Sequence, residues 1–231
     1  MSAGPDAVVF DLDGVIITSE ALWTEKRHEL TSESGGTWRE EAQEVMQGMS
    51  SPEWTAYMRD ELKVPLDADA ISGAVVAKLD QAYREHLPLI DGAVESVRAL
   101  AERWPLALAS SANREVIDLV LELSGLADSF HATVSSEEVA NGKPSPDVYL
   151  EAARRIDVAP ERCVAVEDSG NGIKAAHAAG MRVIAVPNPE LAPDPQALEL
   201  ADASIETIAE LSPKLVESLA QLHRGSSERR R

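Results

Sequence analysis

The sequence predicts an α/β fold, with a parallel, Rossmann-like sheet as core and an all-helical domain inserted into it. Short, fully apolar segments that are rich in β-branched residues are typical of buried parallel strands. After Gly92 such segments alternate with amphipathic segments of helical length, which is the pattern of successive βαβ units. Between the first strand and Gly92, apolar residues instead recur at helical spacing.

The first predicted strand is the apolar segment 8–10, which ends at two aspartates and a glycine. Ligands of open α/β sheets bind beyond the carboxyl ends of the strands, so Asp11 and Asp13 would lie in that crevice. Side chains alternate along an extended chain, so the two carboxylates share one side while Leu12 points toward the core. The alternative interpretation is an Asp-rich turn that only closes the strand.

Residues 21–87 are predicted to form about four helices, separated by Gly35-Gly36, Ser50-Ser51-Pro52 and Val64-Pro65. Ser50 or Ser51 is the expected N-cap, with Pro52 at a first helical position. The tryptophans and methionines of this block are expected in the core, with Trp23 excepted. The segment 87–92 is expected to be a hinge, which would place the block as a lid over the strand tips.

The rest of the chain is predicted to continue the core and to end in a polar tail. We expect a core of residues 1–18 and 89–224, a helical cap of residues 19–88 and a disordered tail of residues 225–231. The predicted elements after the hinge are helix 93–103, strand 106–109, helix 114–123, strand 132–134, helix 147–156, strand 163–166, helix 173–179, strand 183–186 and helix 208–222.

The chain of 231 residues has a formal net charge of −19, from 40 acidic and 21 basic residues. This excess, without a basic stripe, argues against nucleic acid and anionic membranes as partners. One cysteine, Cys163, excludes an intrachain disulfide, and we expect it to serve packing. The first ten residues resemble no secretory leader, and no apolar segment approaches spanning length. We expect a cytoplasmic monomer.

A cluster of small polar residues, Ser110, Ser111 and Asn113, follows the second predicted strand and precedes a helix. Backbone N–H groups at a helix N-terminus, together with a serine hydroxyl, suit a phosphate group. These three residues are therefore candidate phosphate ligands. The alternative is that they only cap the helix.

Lys143 lies in the segment 141–147, Asn-Gly-Lys-Pro-Ser-Pro-Asp, where glycine and prolines restrict the backbone. A fixed lysine can neutralise the oxygens of a transferring phosphoryl group without reorganising in the transition state. An exposed loop lysine is the alternative interpretation.

Glu167 and Asp168 end another apolar strand and precede Ser169 and Gly170. Two strand tips with carboxylates can supply the hard oxygen ligands that Mg²⁺ prefers, with positions left open for water and phosphate. Acidic groups crowded together without a cation would be costly.

Segment 10–16, Phe-Asp-Leu-Asp-Gly-Val-Ile, together with Ser19-Glu20, resembles the first motif of the haloacid dehalogenase superfamily. All four clusters follow the order and relative spacing of that superfamily over nearly the whole chain. The helical insertion resembles its β-phosphoglucomutase-like branch, which has a four-helix cap. The resemblance implies phosphoryl transfer rather than carbon–halogen cleavage, because dehalogenases generally lack the second aspartate.

The same resemblance implies a role for each site residue. Asp11 would be the nucleophile that forms an aspartyl-phosphate, and Asp13 the acid/base. Ser110 and Lys143 would hold the phosphoryl oxygens. Mg²⁺ would be bound by Asp11, the backbone carbonyl of Asp13, Asp168 and Glu167.

The expected activity is Mg²⁺-dependent hydrolysis of small phosphomonoesters, such as sugar or polyol phosphates. Mutases of the branch resemble one another in a histidine ten residues after the acid/base and in a Gly-x-x-Arg loop, but this chain has Trp23 and 48–51, Gly-Met-Ser-Ser, there. Thr18 also replaces a common aspartate. The alternatives are a β-phosphoglucomutase-type mutase and, from another class, a non-catalytic protein that binds a phosphorylated ligand.

Overall fold

The computed structural model describes residues 4–46, 49–187, 193 and 195–219. Within these ranges the core is one parallel sheet, ordered β3-β2-β1-β4-β5-β6. This is the strand order of a Rossmann-like, doubly wound sheet, so the predicted fold class is confirmed. The strands are β1 (Ala7–Phe10), β2 (Leu106–Ser110), β3 (Ala132–Ser135), β4 (Cys163–Glu167), β5 (Arg182–Ala185) and β6 (Ala203–Ser204).

Strand β1 lies at the centre of the sheet and pairs with β2 on one side and β4 on the other. All four of its residues are buried. Val8 and Phe10 belong to the apolar cluster on one face of the sheet, and Ala7 and Val9 to the cluster on the other. Both faces are covered, which explains why the strand contains no polar residue.

The inserted block consists of helices, as predicted, and the predicted breaks separate them. Gly35 follows α1 with φ +76°, a conformation that favours glycine. Ser50 is the N-cap of α3, and its N–H donates to the Glu53 carboxylate at 2.8 Å. The four helices are α1 (Glu20–Glu33), α2 (Ala42–Met46), α3 (Ser51–Asp60) and α4 (Ala68–Glu85).

The helices after residue 92 cover the two faces of the sheet. Helix α8 begins three residues before its predicted start, because the Ser169 hydroxyl accepts a hydrogen bond from the Gly172 N–H at 3.0 Å and caps it. Two short elements, α9 and β6, were not predicted from the sequence. The ranges are α5 (Ala93–Ala101), α6 (Arg114–Ser124), α7 (Asp147–Arg155), α8 (Gly170–Ala178), α9 (Pro195–Leu198) and α10 (Pro213–Leu219).

The single helix predicted for residues 208–222 is wrong. A 3₁₀ turn spans Ile208–Glu210, and α10 begins separately at Pro213. Proline disfavours a helical conformation for the residue before it and suits the first turn of a new helix, so the chain breaks there. Residues 220–222 and the tail 225–231 lie outside the described residues.

The helical block joins the sheet through two chain crossings that contact each other. The Thr18 N–H donates to the Pro88 carbonyl at 2.9 Å, and the Ile90 N–H donates to the Ile16 carbonyl at 3.0 Å. Within the block, α4 packs on α1 and α3, and it also contacts α6. The division into core and cap stays a prediction. Over the described ranges, no helix has the length and apolar character that crossing a membrane requires.

Candidate active site

A cavity of about 110 Å³ lies at the carboxyl ends of the central strands, beneath the helical block. Strand order reverses between β1 and β4, and this is where ligands bind in doubly wound sheets. The core contributes Asp11, Asp13, Lys143 and Asp168 to its wall, and the helical block contributes Glu20, Trp23, Arg27, Met46, Met49 and Trp54.

Lys143 joins two carboxylates from different strand ends. Its Nζ donates to Asp11 Oδ1 at 2.9 Å and to Glu167 Oε1 at 2.6 Å. All three side chains are buried, so the alternative of an exposed loop lysine is wrong. Burial alone would lower the pKa of Lys143, but the charges of Asp11 and Glu167 outweigh burial and raise that pKa. The ammonium therefore stays protonated at neutral pH.

Glu167 has every lone pair engaged. Its Oε1 accepts from Lys143 and from the Tyr149 hydroxyl at 2.8 Å, and its Oε2 accepts from the Asp168 N–H at 3.0 Å. The N–H and hydroxyl of Ser169 also donate to Oε2. A carboxylate offers about four lone-pair positions, so these five donors saturate it. In this arrangement Glu167 anchors Lys143 and the turn after β4.

Asp13 lies beside Asp11 but has different partners. It accepts a hydrogen bond from the Ser19 hydroxyl, and the Ser110 hydroxyl lies 3.4 Å from Asp13 Oδ2. Burial raises the pKa of Asp13, while the hydrogen bond from Ser19 and the charge of Lys143 oppose that rise. Opposing influences of this kind allow a carboxyl group to serve both as acid and as base.

Asp11, Glu167 and Asp168 each offer a carboxylate oxygen, and these three atoms lie within 4.8 Å of one another. Burial raises the pKa of Asp11 to about 8, with Lys143 opposing and Glu167 and Asp13 adding to the rise. Burial, Glu167 and Asp11 likewise raise the pKa of Asp168 well above its ordinary value. Hard oxygen donors that repel one another in this way fit a divalent cation. The carboxylate of Asp13 is not part of this group.

Gly14 allows Asp168 to approach the end of β1. It adopts φ +76°, and a Cβ there would lie 1.8 Å from Asp168 Oδ2. Any other residue at position 14 would therefore be strained and would also displace this carboxylate.

The Ser-Ser-Ala-Asn loop brings some of its predicted ligands to the site but not all. Ser110 is buried beside Asp13 and accepts from the Ala112 N–H at 3.0 Å, and Ser111 lines the cavity. The amide of Asn113 instead donates to the Ser72 hydroxyl of α4 at 2.9 Å and to Glu137 at 2.8 Å. A phosphate-binding role of Asn113 stays a prediction, and these contacts do not favour it.

The capping alternative for that loop holds only in part. Asn113 is the N-cap of α6 but makes no side-chain capping bond. The Glu137 carboxylate accepts from the Arg114 N–H at 3.0 Å and so caps the helix. This acidic side chain is a reason to place a bound phosphate nearer to Ser110 and Ser111 than to the start of α6.

Tyr149 and Arg27 are site residues whose place the sequence did not indicate. Tyr149 lies on the buried face of α7, where a tyrosine looks like an ordinary core residue, and no sequence signal marks its hydroxyl. Arg27 lies on α1 against the rings of Trp23 and Trp54. Trp54 and Met46 are buried, as predicted, but they also line the cavity.

The chain is similar to known hydrolases over most of its length. The family model for haloacid dehalogenase-like hydrolases matches residues 5–180. Hexitol phosphatase B of Escherichia coli (strain K12) is 35% identical over 214 residues, which cover 90% of this chain and 95% of that protein. A probable pseudouridine-5'-phosphatase of Drosophila melanogaster is 33% identical over 190 residues, which cover 79% of this chain and 82% of that protein.

Solved structures show the same architecture. CbbY from Rhodobacter sphaeroides in complex with phosphate has a TM-score of 0.83 at 29% identity, covering 93% of this chain and 99% of that one. A mutant of that protein in complex with xylulose-(1,5)bisphosphate has a TM-score of 0.79 at 29% identity, covering 90% and 96%. Sequence and fold agree, and the chain belongs to the haloacid dehalogenase-like hydrolases.

Proposed function

We propose that this protein is a Mg²⁺-dependent phosphatase that hydrolyses small sugar or polyol phosphates through an aspartyl-phosphate on Asp11. The observation that most supports this proposal is the convergence of Asp11, Asp13 and Lys143 on one cavity. A carboxylate nucleophile needs its repulsion by a phosphate dianion offset, and a fixed lysine beside it provides part of that offset. The phosphatase relatives agree with this reaction class.

The reaction would proceed in two displacements. In the first, an Asp11 carboxylate oxygen attacks phosphorus, the bond to the leaving oxygen breaks, and Asp13 gives its proton to the departing alkoxide. In the second, Asp13 takes a proton from water, which attacks the aspartyl-phosphate and releases inorganic phosphate. Ser110 and Lys143 would hold the phosphoryl oxygens through both steps. The raised pKa of Asp13 supports its first role, because a protonated acid is needed there.

Asp11, Asp168 and the backbone carbonyl of Asp13 would hold Mg²⁺. The ion, when bound, supplies positive charge that neutralises the phosphoryl oxygens. Glu167 is the less favoured ligand in this proposal, because five donors already engage it. Its contribution is to keep Lys143 in place.

A small substrate agrees with the size of the cavity. One water needs about 10–15 Å³ of such volume, so about 110 Å³ holds a phosphoryl group and a short leaving group. One relative is named as a hexitol phosphatase, and one similar solved structure is a complex with xylulose-(1,5)bisphosphate. Both point to the same substrate class.

A phosphomutase is the second candidate, and one observation favours it. A mutase must grip the phosphate that is not being transferred, and Arg27 places a cation on the cavity wall. Trp23 nevertheless occupies the position of the histidine found in mutases of this branch. A phosphatase is therefore the better supported of the two.

The deciding experiment compares phosphate release with isomerisation. We expect inorganic phosphate from hexose 6-phosphates and hexitol phosphates, and no comparable formation of glucose 6-phosphate from β-glucose 1-phosphate with catalytic bisphosphate. Release should stop in EDTA and return with Mg²⁺. Asp11→Asn should lower kcat by at least about 1,000-fold with an unchanged circular dichroism spectrum, because an amide cannot act as the nucleophile. Isomerisation faster than hydrolysis would identify a mutase, and residual activity of Asp11→Asn near that of the wild type would exclude the covalent mechanism.

A further inference from the structure

Arg27 is a buried cation that has no hydrogen-bond or salt-bridge partner among the described residues. Its exposed fraction is 7%, and its Nε has no hydrogen-bond acceptor there. Every other lysine and arginine of segment 19–88 has a hydrogen-bond acceptor or a salt-bridge partner. Those partnered cations are Lys26, Arg39, Arg59, Lys63, Lys78 and Arg84.

The surroundings of Arg27 compensate its charge only in part. Its Cζ lies 4.7 Å from the ring centroid of Trp23 and 4.8 Å from that of Trp54. Aromatic faces attract a guanidinium but accept none of its N–H groups as a carboxylate would, so they recover only part of the lost hydration. Burial lowers the pKa of Arg27 to about 10, against the opposing charges of Glu20 and Asp13. The group is therefore still charged at neutral pH.

The position of Arg27 indicates what would complete its environment. It lines the same cavity as Asp11 and Lys143, but on the side of the helical block, where the leaving group of a substrate would lie. A guanidinium presents N–H donors in a planar fork that matches a carboxylate or a phosphate. Neutral hydroxyls would satisfy its donors without balancing its charge.

We infer that Arg27 determines substrate specificity by binding a second oxyanion, a carboxylate or a phosphate, on the leaving group of the phosphomonoester. This inference rests on the proposed phosphatase function and extends it to a substrate class. Preferred substrates carry an acidic group at the end opposite to the transferred phosphate.

The test compares substrates that differ in one terminal group. Glucitol 6-phosphate, gluconate 6-phosphate and glucitol 1,6-bisphosphate share a carbon chain and carry at C1 a hydroxyl, a carboxylate and a phosphate. We expect wild-type kcat/KM to be about 10- to 100-fold higher for at least one of the two acidic esters than for glucitol 6-phosphate. The acidic ester that is favoured identifies the source of the oxyanion.

Arg27→Gln should remove this preference, so that kcat/KM falls at least about tenfold more for the favoured acidic ester than for glucitol 6-phosphate. Arg27→Lys should restore part of it, because the charge returns without the planar fork. The matched control is Lys26→Gln, whose side chain pairs with Glu25 and Glu29 on the surface of the same helix. That variant should keep the preference. An equal loss on all three esters in Arg27→Gln would overturn the inference and indicate a partner inside the protein, such as Glu20.

A binding measurement separates this inference from the proposed function. Trp23 and Trp54 contact Arg27, so their fluorescence should report an anion at the guanidinium. In EDTA we expect gluconate to bind at least about tenfold more tightly than glucitol. If the bisphosphate is the favoured ester, a glucitol phosphate replaces gluconate in this comparison. Arg27→Gln should abolish the difference. If no ester releases phosphate, the proposed function fails and this titration still decides the role of Arg27. Equal binding of charged and neutral ligands by the wild type would overturn the inference.

Discussion

Lys143 is the residue on which the charge balance of the site depends. Its ammonium lies between the buried carboxylates of Asp11 and Glu167, at 2.9 Å and 2.6 Å. Removal of one partner from a buried ion pair leaves the other charge uncompensated, which costs far more than the loss of a surface pair. Lys143 is therefore expected to stabilise the metal-free fold as well as the reaction.

We predict that Lys143→Met lowers the free energy of unfolding of the metal-free protein by about 3 kcal/mol and abolishes phosphate release. Urea denaturation at pH 7 in EDTA measures the first effect. The matched control is Lys78→Met, because the partners of Lys78, Glu29 and Glu33, are at the surface. This variant should lower the free energy of unfolding by no more than about 1 kcal/mol. Similar losses in the two variants would show that the buried pairing contributes no more than an exposed one.

Residues that adjoin strand ends could be assigned to the site from the sequence, whereas residues on helices could not. Asp11 and Asp168 follow apolar strands and Ser110 ends one, and the topology of a parallel sheet alone brings such positions together. Arg27 and Tyr149 lie on helices, where spacing shows which residues share a face but not what that face meets. Their roles depend on how α1 and α7 pack, which one sequence does not specify.

The start of α8 is the element whose geometry most directly supports the site. Gly172 lies in its first turn, and a Cβ there would be 1.6 Å from Glu167 Oε1. The backbone of α8 thus approaches the carboxylate that anchors Lys143 more closely than any side chain would permit. The exact position of Glu167 depends on the absence of a side chain at residue 172.

Gly172→Ala should therefore displace Glu167, lower kcat/KM at least about tenfold and cost about 1–3 kcal/mol of stability. Gly73→Ala is the control, because residue 73 is an exposed position within α4 where an added Cβ would have no heavy atom within 4 Å. It should raise stability by up to about 1 kcal/mol through helix propensity and leave turnover unchanged. Steady-state kinetics and thermal unfolding of both variants check this. Unimpaired turnover in Gly172→Ala would mean that Glu167 can move without harm.

The boundaries of elements were the part of the fold that the sequence predicted least well. Strand β1 and the break at Gly35 were predictable, because burial and backbone conformation restrict the residues allowed there. The end of the core was not predictable from the sequence, because the short β6 pairs only two residues with β5 and its sequence has no strand pattern. Its pairing depends on the edge that β5 already presents.

The buried carboxyls link the stability of the protein to pH. Burial raises the pKa of Asp11 to about 8, and it also raises the pKa of Asp168. An unfolded aspartate titrates near pH 4. Between these values the native state of the metal-free protein binds more protons than the unfolded state. Its free energy of unfolding therefore falls as pH rises. The stabilising contribution of the protonated carboxyls is fully present below about pH 4 and is lost by about pH 8.

We predict that in EDTA the Tm falls as pH rises from 5 to 8, and that Mg²⁺ flattens the fall, because the ion replaces the protons that the carboxylates release. Asp168→Asn should show a smaller slope in EDTA than the wild type, since one of the carboxyls with a raised pKa is gone. Comparing the slopes of the two proteins cancels the effect of the other acidic residues, because both proteins contain them. Equal slopes in the two proteins would contradict the assignment of these carboxyls.

The central position of β1 has a consequence for synthesis of the chain. The strand is synthesised before the other strands of the sheet, and its two neighbours are residues 106–110 and 163–167, so its pairing is incomplete until residues 163–167 have been made. An apolar strand with two open edges is prone to associate with other chains. Asp6 and Asp11 flank it directly, and flanking charges are what limit such association. We therefore expect Asp11, the proposed nucleophile, to protect the nascent chain from aggregation before any substrate is bound.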